Sequence, residues 1–298
     1  MPAGGVDFED RNRHLAPREI ETIATQAHRL GVRHFKITGG EPTVRADIEE
    51  IVERISRLPR SEVSMTTNGT TLARRAEGLR IAGLRRVTVS IDSLIPERFE
   101  TMSGGGRLDV VRRGLEAALM HFASVKINMV VIRGRNDGEA EDFVRLAMAS
   151  DLTVRFIEFM PIGDSACARN NAPDSQLVPA DELLDRLQAT FGAFRTLEAN
   201  REPGVGPAVV YECPGGRGRV GFIHAMSKPF CETCNRLRLT ARGILRSCLF
   251  DGGEVDLRPL LERRASPSEW RRTFAQCTAL KPAVHALRGD GAMSAIGG

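Results

Sequence analysis

The chain has 298 residues, 42% hydrophobic and 27% charged, with six cysteines and a formal net charge of +4 at pH 7. That composition belongs to a soluble globular protein with a real core, and the mild charge gives no argument for nucleic acid while leaving room for a local anion site. No apolar run approaches the ~20 residues that cross a bilayer, and no signal-peptide pattern opens the chain, so a cytoplasmic protein with no membrane partner is expected.

In chain order, residues 1–12 are glycine-rich and polar and read as a loop. Ile20, Ile23, Ala24, Ala27 and Leu30 fall at helical spacing, and Gly31 ends that helix. Strands are then predicted to begin near Arg33, Glu62, Arg86, Val125 and Thr153, with helices between them at 45–57, 71–82, 107–121 and 138–149. Five strands alternating with helices predict a parallel α/β sheet or barrel.

Side-chain parity carries the next inference. One strand face is apolar: Val87, Val89 and Ile91, then Val125, Ile127 and Met129. In a parallel sheet that face meets the crossover helices. The opposite, concave face then carries Lys36, Thr38, Ser64, Thr66, Thr88, Ser90, Asp92, Lys126, Asn128 and Arg155. Unpartnered buried charge is costly, so this pattern predicts a wet lumen whose three cations suit an anionic ligand. Gly39–Glu41, Thr66–Asn68, Ser90–Asp92 and Glu158–Met160 all lie at strand ends, where α/β folds bind ligands. Lys36–Pro42 (KITGGEP) is the sharpest of these turns, because a glycine pair lets the backbone approach a ligand closely.

After Met160 the texture changes. A Pro/Asn/Asp-rich connection at 161–179 leads to a helix at 181–190 and to shorter strands at Ala208–Glu212, Arg219–Ile223 and Arg236–Thr240, with a hairpin at Arg242-Gly243. Two regions are expected, 1–165 and 166–298.

Cys231, Cys234 and Cys248 form C-x2-C-x13-C, while Cys167, Cys213 and Cys277 are scattered and read as packing residues. Three thiolates on a loop and an adjacent hairpin can share one metal centre. A structural zinc would need a distant fourth donor such as Cys213 or His224. A four-iron cluster on three cysteines would leave one iron open. Spacing does not choose between them. Arg236 and Arg238 share a strand face beside the cysteines, a pairing that suits phosphate or carboxylate oxygens.

The segments Ile37–Pro42, Thr66–Gly69, Val89–Ser93, Lys126–Val131, Arg155–Met160, Phe230–Ala241, Cys248–Phe250 and the terminal Ile296-Gly297-Gly298 resemble the radical-SAM GTP 3′,8-cyclase family of molybdenum cofactor biosynthesis. The resemblance runs the length of the chain. It implies an incomplete (β/α) barrel and a smaller C-terminal α+β subdomain enclosing two 4Fe-4S clusters. In that family the first cluster cleaves S-adenosylmethionine to a 5′-deoxyadenosyl radical, which takes the 3′ hydrogen of GTP. C3′ then attacks C8 of guanine, giving 3′,8-cyclo-7,8-dihydroguanosine triphosphate, while the open iron of the second cluster binds the purine.

Carried over by position, Gly40, Ser90 and Met160, with Gly39 and Glu41 beside them, resemble S-adenosylmethionine contacts. Lys36, Thr66, Lys126, Arg155 and the Arg236-Leu237-Arg238 strand resemble GTP contacts, with lysine at position 36 where the family usually has arginine. Cys231, Cys234 and Cys248 resemble the ligands of the second cluster, and Gly297-Gly298 a tail that reaches the active site. The resemblance also implies a homodimer and a downstream cyclic pyranopterin synthase.

The family's CxxxCxxC is absent, and no cysteine precedes Cys167. The expectation is therefore an N-terminally shortened member, lacking the first barrel strand, a GTP-contacting arginine and the first cluster, and inactive as written. The first, S-adenosylmethionine-cleaving 4Fe-4S cluster would then belong to a full-length form only. The alternative is a non-catalytic GTP-binding protein with an iron–sulfur or zinc centre.

Overall fold

The computed structural model describes residues 14–162, 176–197, 206–250 and 253–285. Calls on Cys167 and on Gly297-Gly298 lie outside them. Five parallel strands occur as expected: β1 (His34–Ile37), β2 (Glu62–Thr67), β3 (Leu84–Ser90), β4 (Ser124–Val131) and β5 (Thr153–Glu158). Around them lie α1 (Pro17–Arg29), α2 (Ile48–Ser56), α3 (Leu72–Ile81), α4 (Pro96–Ser103), α5 (Leu108–His121) and α6 (Ala140–Ala149).

Next come α7 (Ala180–Phe191), β6 (Arg195–Thr196), β7 (Val209–Glu212) and β8 (Arg219–Ile223). β8 pairs in parallel with β5, and β7 and β6 follow antiparallel, giving the sheet order β1-β2-β3-β4-β5-β8-β7-β6. Residues beyond 165 thus lengthen the same sheet that the first half builds. The rest of that half is a three-stranded antiparallel sheet of β9 (Arg238–Leu239), β10 (Ile244–Arg246) and β11 (Glu254–Asp256), followed by α8 (Arg258–Glu262) and α9 (Pro267–Ala279). The predicted hairpin at Gly243 joins β9 to β10.

The parity reading holds residue by residue. Val63, Met65, Val87, Val89, Ile127, Met129 and Val154 are buried in one continuous core with Ile51, Val52, Leu79, Val111, Ala118, Phe143 and Val144 of the covering helices. Burying such side chains contributes ~1.5–3 kcal/mol each, which fixes the face that the sheet turns to its helices. The contact is tight. A Cβ at Gly114 of α5 would stand 2.1 Å from the carbonyl oxygen of Gly69, so α5 lies directly on the turn after β2.

A second core joins the two ends of the described chain. Leu15, Ile23 and Ala27 pack with Leu245, Leu257, Leu260, Trp270, Phe274 and Cys277, and Leu15 N donates to Ala241 O at 2.7 Å. The small sheet is therefore docked on α1, beside β1. The segment that leaves β8 crosses from that side of the large sheet to this one, and it carries the CxxC.

Five elements, α4, β6, β11, α8 and α9, had no counterpart in the sequence reading. α4 buries only Phe99, too few apolar positions to show a period. β6 and β11 are two and three residues long. α9 was legible: Trp270, Phe274 and Cys277 stand at helical spacing behind a Ser266–Glu269 capping box.

Candidate functional site

The polar strand face forms a cationic lumen, ordered by strand register. Thr66 pairs with Thr88 and Thr88 with Lys126, while Ser90 pairs with Asn128 and Asn128 with Arg155. Lys126 and Arg155 are both buried. Arg155 donates from Nε to Asn128 Oδ1 at 2.9 Å and from Nη2 to Thr88 Oγ1 at 3.1 Å.

Lys36 projects into the same space. Its side chain touches water, yet protein surrounds it on the concave side, and its pKa falls from 10.5 to about 7. Desolvation is the largest cause, followed by the charges of Arg155, Lys126, Arg236 and Arg86. Because water still reaches the ammonium, the four like charges are the firmer part of that account. Thr66 Oγ1 is buried with no hydrogen-bond partner among the described residues. Such a cluster of cations beside an orphaned hydroxyl is what an anionic, oxygen-rich ligand would satisfy.

Arg86 was missed, although it shares parity with Thr88 and Ser90. It pairs with Glu62 at 2.6 Å, at the opposite end of the strands from the GGEP turn. Arg246 was also missed. It is buried, stands opposite Arg238 in the β9–β10 pairing and is salt-bridged to Glu254 at 2.6 Å. Burial and Arg236 bring the Arg238 pKa down to about 10, while Cys234 and Cys248 oppose the shift.

At the carboxyl ends of the strands, carboxylates tie one loop to the next. Glu41 accepts from Thr43 N at 3.0 Å, Thr67 Oγ1 at 2.7 Å and Asn68 N at 2.6 Å, and also from Thr43 Oγ1. The GGEP turn is thereby locked to the end of β2. Gly39 reaches a φ of 130° there, which residues with a Cβ rarely adopt. Gly39 and Gly40 are exposed on the rim, Ser90 closes β3, and Met160 follows β5. Glu139 accepts from Ser93 Oγ and Leu94 N at 2.8 and 2.7 Å. Glu158, at the end of β5, accepts from Ala180 N, Met226 N and Ser227 N at 2.9, 2.7 and 2.8 Å. That bond set anchors the loop leading to the cysteines.

Cys231 and Cys234 share one turn, in which Cys234 N donates to Cys231 O at 3.1 Å. Cys248 packs in a small apolar group with Met160, Met226, Ile162, Leu249 and Phe250. All three thiols are half-buried. Burial works against ionisation of Cys234, and the backbone and guanidinium of Arg236 together with the charge of Lys281 outweigh it, bringing the thiol to about 7. Among the described residues no three His, Cys, Asp or Glu side chains converge closely enough to hold a single metal ion. The donor chemistry, three accessible thiols amid cations, suits a thiolate-bound cluster.

The suggested fourth donors are engaged elsewhere. Cys213 is buried in the main core with its thiol pushed up to about 11 by desolvation, and His224 pairs with Asp181 at 3.1 Å. Cys277 is a packing residue, as expected. A cavity of about 310 Å³ adjoins the CxxC, lined by Gly206–Ala208 on one side and Phe230, Thr233, Cys234 and Arg236 on the other. The Arg236 guanidinium lies over the Phe230 ring at 4.8 Å.

Residues 4–147 match the Radical SAM superfamily model, and residues 152–287 match Molybdenum Cofactor Synthesis C. The GTP 3′,8-cyclase of Moorella thermoacetica is 41% identical over 306 residues, spanning 100% of this chain and 92% of that one. The enzyme of the same name from Syntrophomonas wolfei is 41% identical over 287 residues, spanning 96% and 86%. Among solved structures, Streptococcus suis SuiB bound to S-adenosylmethionine superposes with a TM-score of 0.55 at 16% identity, over 87% of this chain and 60% of that one. That likeness supports the α/β radical-SAM fold. The chain belongs to the radical-SAM GTP 3′,8-cyclase family of molybdenum cofactor synthesis.

Proposed function

We propose that this chain holds the GTP triphosphate in its cationic lumen, GTP being the substrate that its family converts to 3′,8-cyclo-7,8-dihydroguanosine triphosphate with S-adenosylmethionine. The observation that carries the reading is the convergence of Lys36, Lys126, Arg155 and Arg236 around one space, beside a Thr66 hydroxyl with no hydrogen-bond partner among the described residues. Lys36 stands among like charges, and an anionic, oxygen-rich ligand would relieve that repulsion. Lys36, Thr66, Lys126, Arg155, Arg236 and Arg238 are assigned to the nucleotide, with Leu237 between the two arginines. Gly39, Gly40, Ser90 and Met160 are assigned to S-adenosylmethionine, and Glu41 holds the turn that presents the glycines.

Cys231, Cys234 and Cys248 are assigned to a 4Fe-4S cluster. With Cys213 and His224 committed elsewhere, three protein donors favour a cluster with an open iron over a closed zinc site. When bound, that cluster supplies a Lewis-acidic iron to the purine. Arg236, stacked on Phe230 beside Cys234, sits between cluster and lumen and orients the nucleotide there. The family's S-adenosylmethionine-cleaving cluster needs thiols that residues 1–166 do not contain, so no residue is assigned to it. The product would pass to a downstream pterin-forming synthase. Among the described residues no helix is long and apolar enough to cross a membrane.

Anaerobic reconstitution followed by iron, sulfide and zinc assay tests the cluster assignment. About four irons with matching sulfide per chain is the expected result. One zinc without sulfide overturns it.

A further inference from the structure

Two groups from the far end of the described chain reach the sulfurs of the CxxC turn. Both come from Lys281–His285, the segment that leaves α9. That helix is immobilised by Trp270, Phe274 and Cys277 in the second core, and Cys277 Sγ contacts the carbonyl oxygens of Leu245 and Gly253 at 3.6 and 3.5 Å. The helix end closes with Lys281 N donating to Thr278 O at 3.1 Å, and Pro282 prevents it from continuing. The backbone at Lys281 is therefore fixed by packing that does not involve the cysteines.

Lys281 Nζ donates to the carbonyl oxygens of Cys234 and Arg236, both at 2.8 Å, and to Cys234 Sγ at 3.5 Å. An ammonium has three protons, and the two carbonyls take two. The third is directed at sulfur. Four residues later, His285 N donates to Cys231 Sγ at 3.4 Å. The His285 ring is stacked on Phe250, with centroids 4.1 Å apart and planes at 10°, and its Nε2 lies 2.9 Å from Ala225 O. Those contacts hold the backbone N–H in place. A lysine that served only to cap the turn would not require a second, independent donor on the other sulfur.

We infer that Lys281 and His285 are positioning residues for the thiolate centre, each supplying an N–H···S bond that sets the cluster's reduction potential and slows loss of its iron. The inference rests on the assignment of a cluster to Cys231, Cys234 and Cys248. Reduction adds negative charge that the thiolates share, so a donor aimed at sulfur stabilises the reduced state more than the oxidised one and raises the potential. The Lys281 ammonium adds a nearby positive charge with the same sign of effect. Neither residue belongs to the lumen's set of phosphate-binding cations.

The test uses the full 298-residue chain, reconstituted anaerobically, as wild type, Lys281→Met and Lys281→Arg. The readouts are an EPR-monitored redox titration and the rate of iron loss to a chelator. Lys281→Met is expected to move the midpoint potential to a more negative value and to speed iron loss roughly tenfold, with Lys281→Arg restoring most of both. His285→Pro, which removes the backbone donor, shifts the potential the same way, whereas His285→Phe keeps donor and stacking and leaves it near wild type. A loaded Lys281→Met chain with wild-type potential and iron retention overturns the inference. A wild-type chain that takes up no iron and sulfide instead defeats the cluster assignment on which it rests.

Discussion

Arg155 of β5 and Asn128 of β4 are register partners, and the bond from Arg155 Nε to Asn128 Oδ1 at 2.9 Å fixes the guanidinium in the lumen. Thr88 takes a second proton at 3.1 Å, so one arginine is braced across β3 and β4. An arginine held this way loses little side-chain entropy on binding phosphate.

Removing the brace should therefore weaken binding without removing any charge. Asn128→Ala is expected to lower GTP affinity roughly tenfold, about 1.4 kcal/mol, in line with one hydrogen bond to a charged group. Isothermal calorimetry reads the affinity, and circular dichroism checks that the fold is kept.

Lys36 is predicted to make GTP binding depend on pH. Its folded-state pKa lies below the unfolded value, about 7 against 10.5, so the unfolded chain binds more protons between those limits. Lys36 therefore costs the empty protein stability below pH 7, and that cost is relieved as pH rises from 7 toward 10.5. Phosphate oxygens favour the ammonium, so binding takes up a proton near neutrality, and affinity falls as pH rises above 7. Lys36→Arg, which stays charged, is expected to flatten this dependence and to abolish the proton uptake seen by calorimetry in buffers of different ionisation enthalpy.

Glu41 is predicted to act through the loops. Glu41→Ala strands Thr43 N, Thr67 Oγ1 and Asn68 N, two of them from the buried residues Thr43 and Thr67. A loss of about 2 kcal/mol in urea unfolding is expected, together with weaker S-adenosylmethionine binding as the glycine turn loosens.

Gly114→Ala tests how closely α5 sits on the turn after β2. The new methyl would meet Gly69 O at 2.1 Å, and backbone on both sides cannot yield cheaply. Destabilisation of about 1–3 kcal/mol is expected in the same unfolding measurement.

The barrel strands and the lumen were legible because a parallel sheet with one apolar face writes its geometry as simple alternation. Val87, Val89 and Ile91 against Thr88 and Ser90 give the two faces directly, and Arg86 was lost because the parity reading started at Val87, whereas β3 begins at Leu84. The loop-tying carboxylates Glu139 and Glu158 were not legible. Their partners lie tens of residues away, as Glu158 with Met226 shows, and no local pattern marks such a pairing. Lys281 and His285 escaped for the same reason, since their relation to the cysteines exists only once the second core has folded α9 against α1. The cysteine spacing named the candidate metal donors but carried no information about Cys213 and His224, whose exclusion depends on burial and on Asp181.

GTP binding to the reconstituted chain tests the central claim most directly, with guanosine and the Arg238→Ala variant as controls. The account predicts that GTP binds, that guanosine, lacking the phosphates, binds far more weakly, and that Arg238→Ala lowers GTP affinity by roughly tenfold or more. Equal affinity for guanosine and GTP, or full GTP affinity in Arg238→Ala, would contradict it.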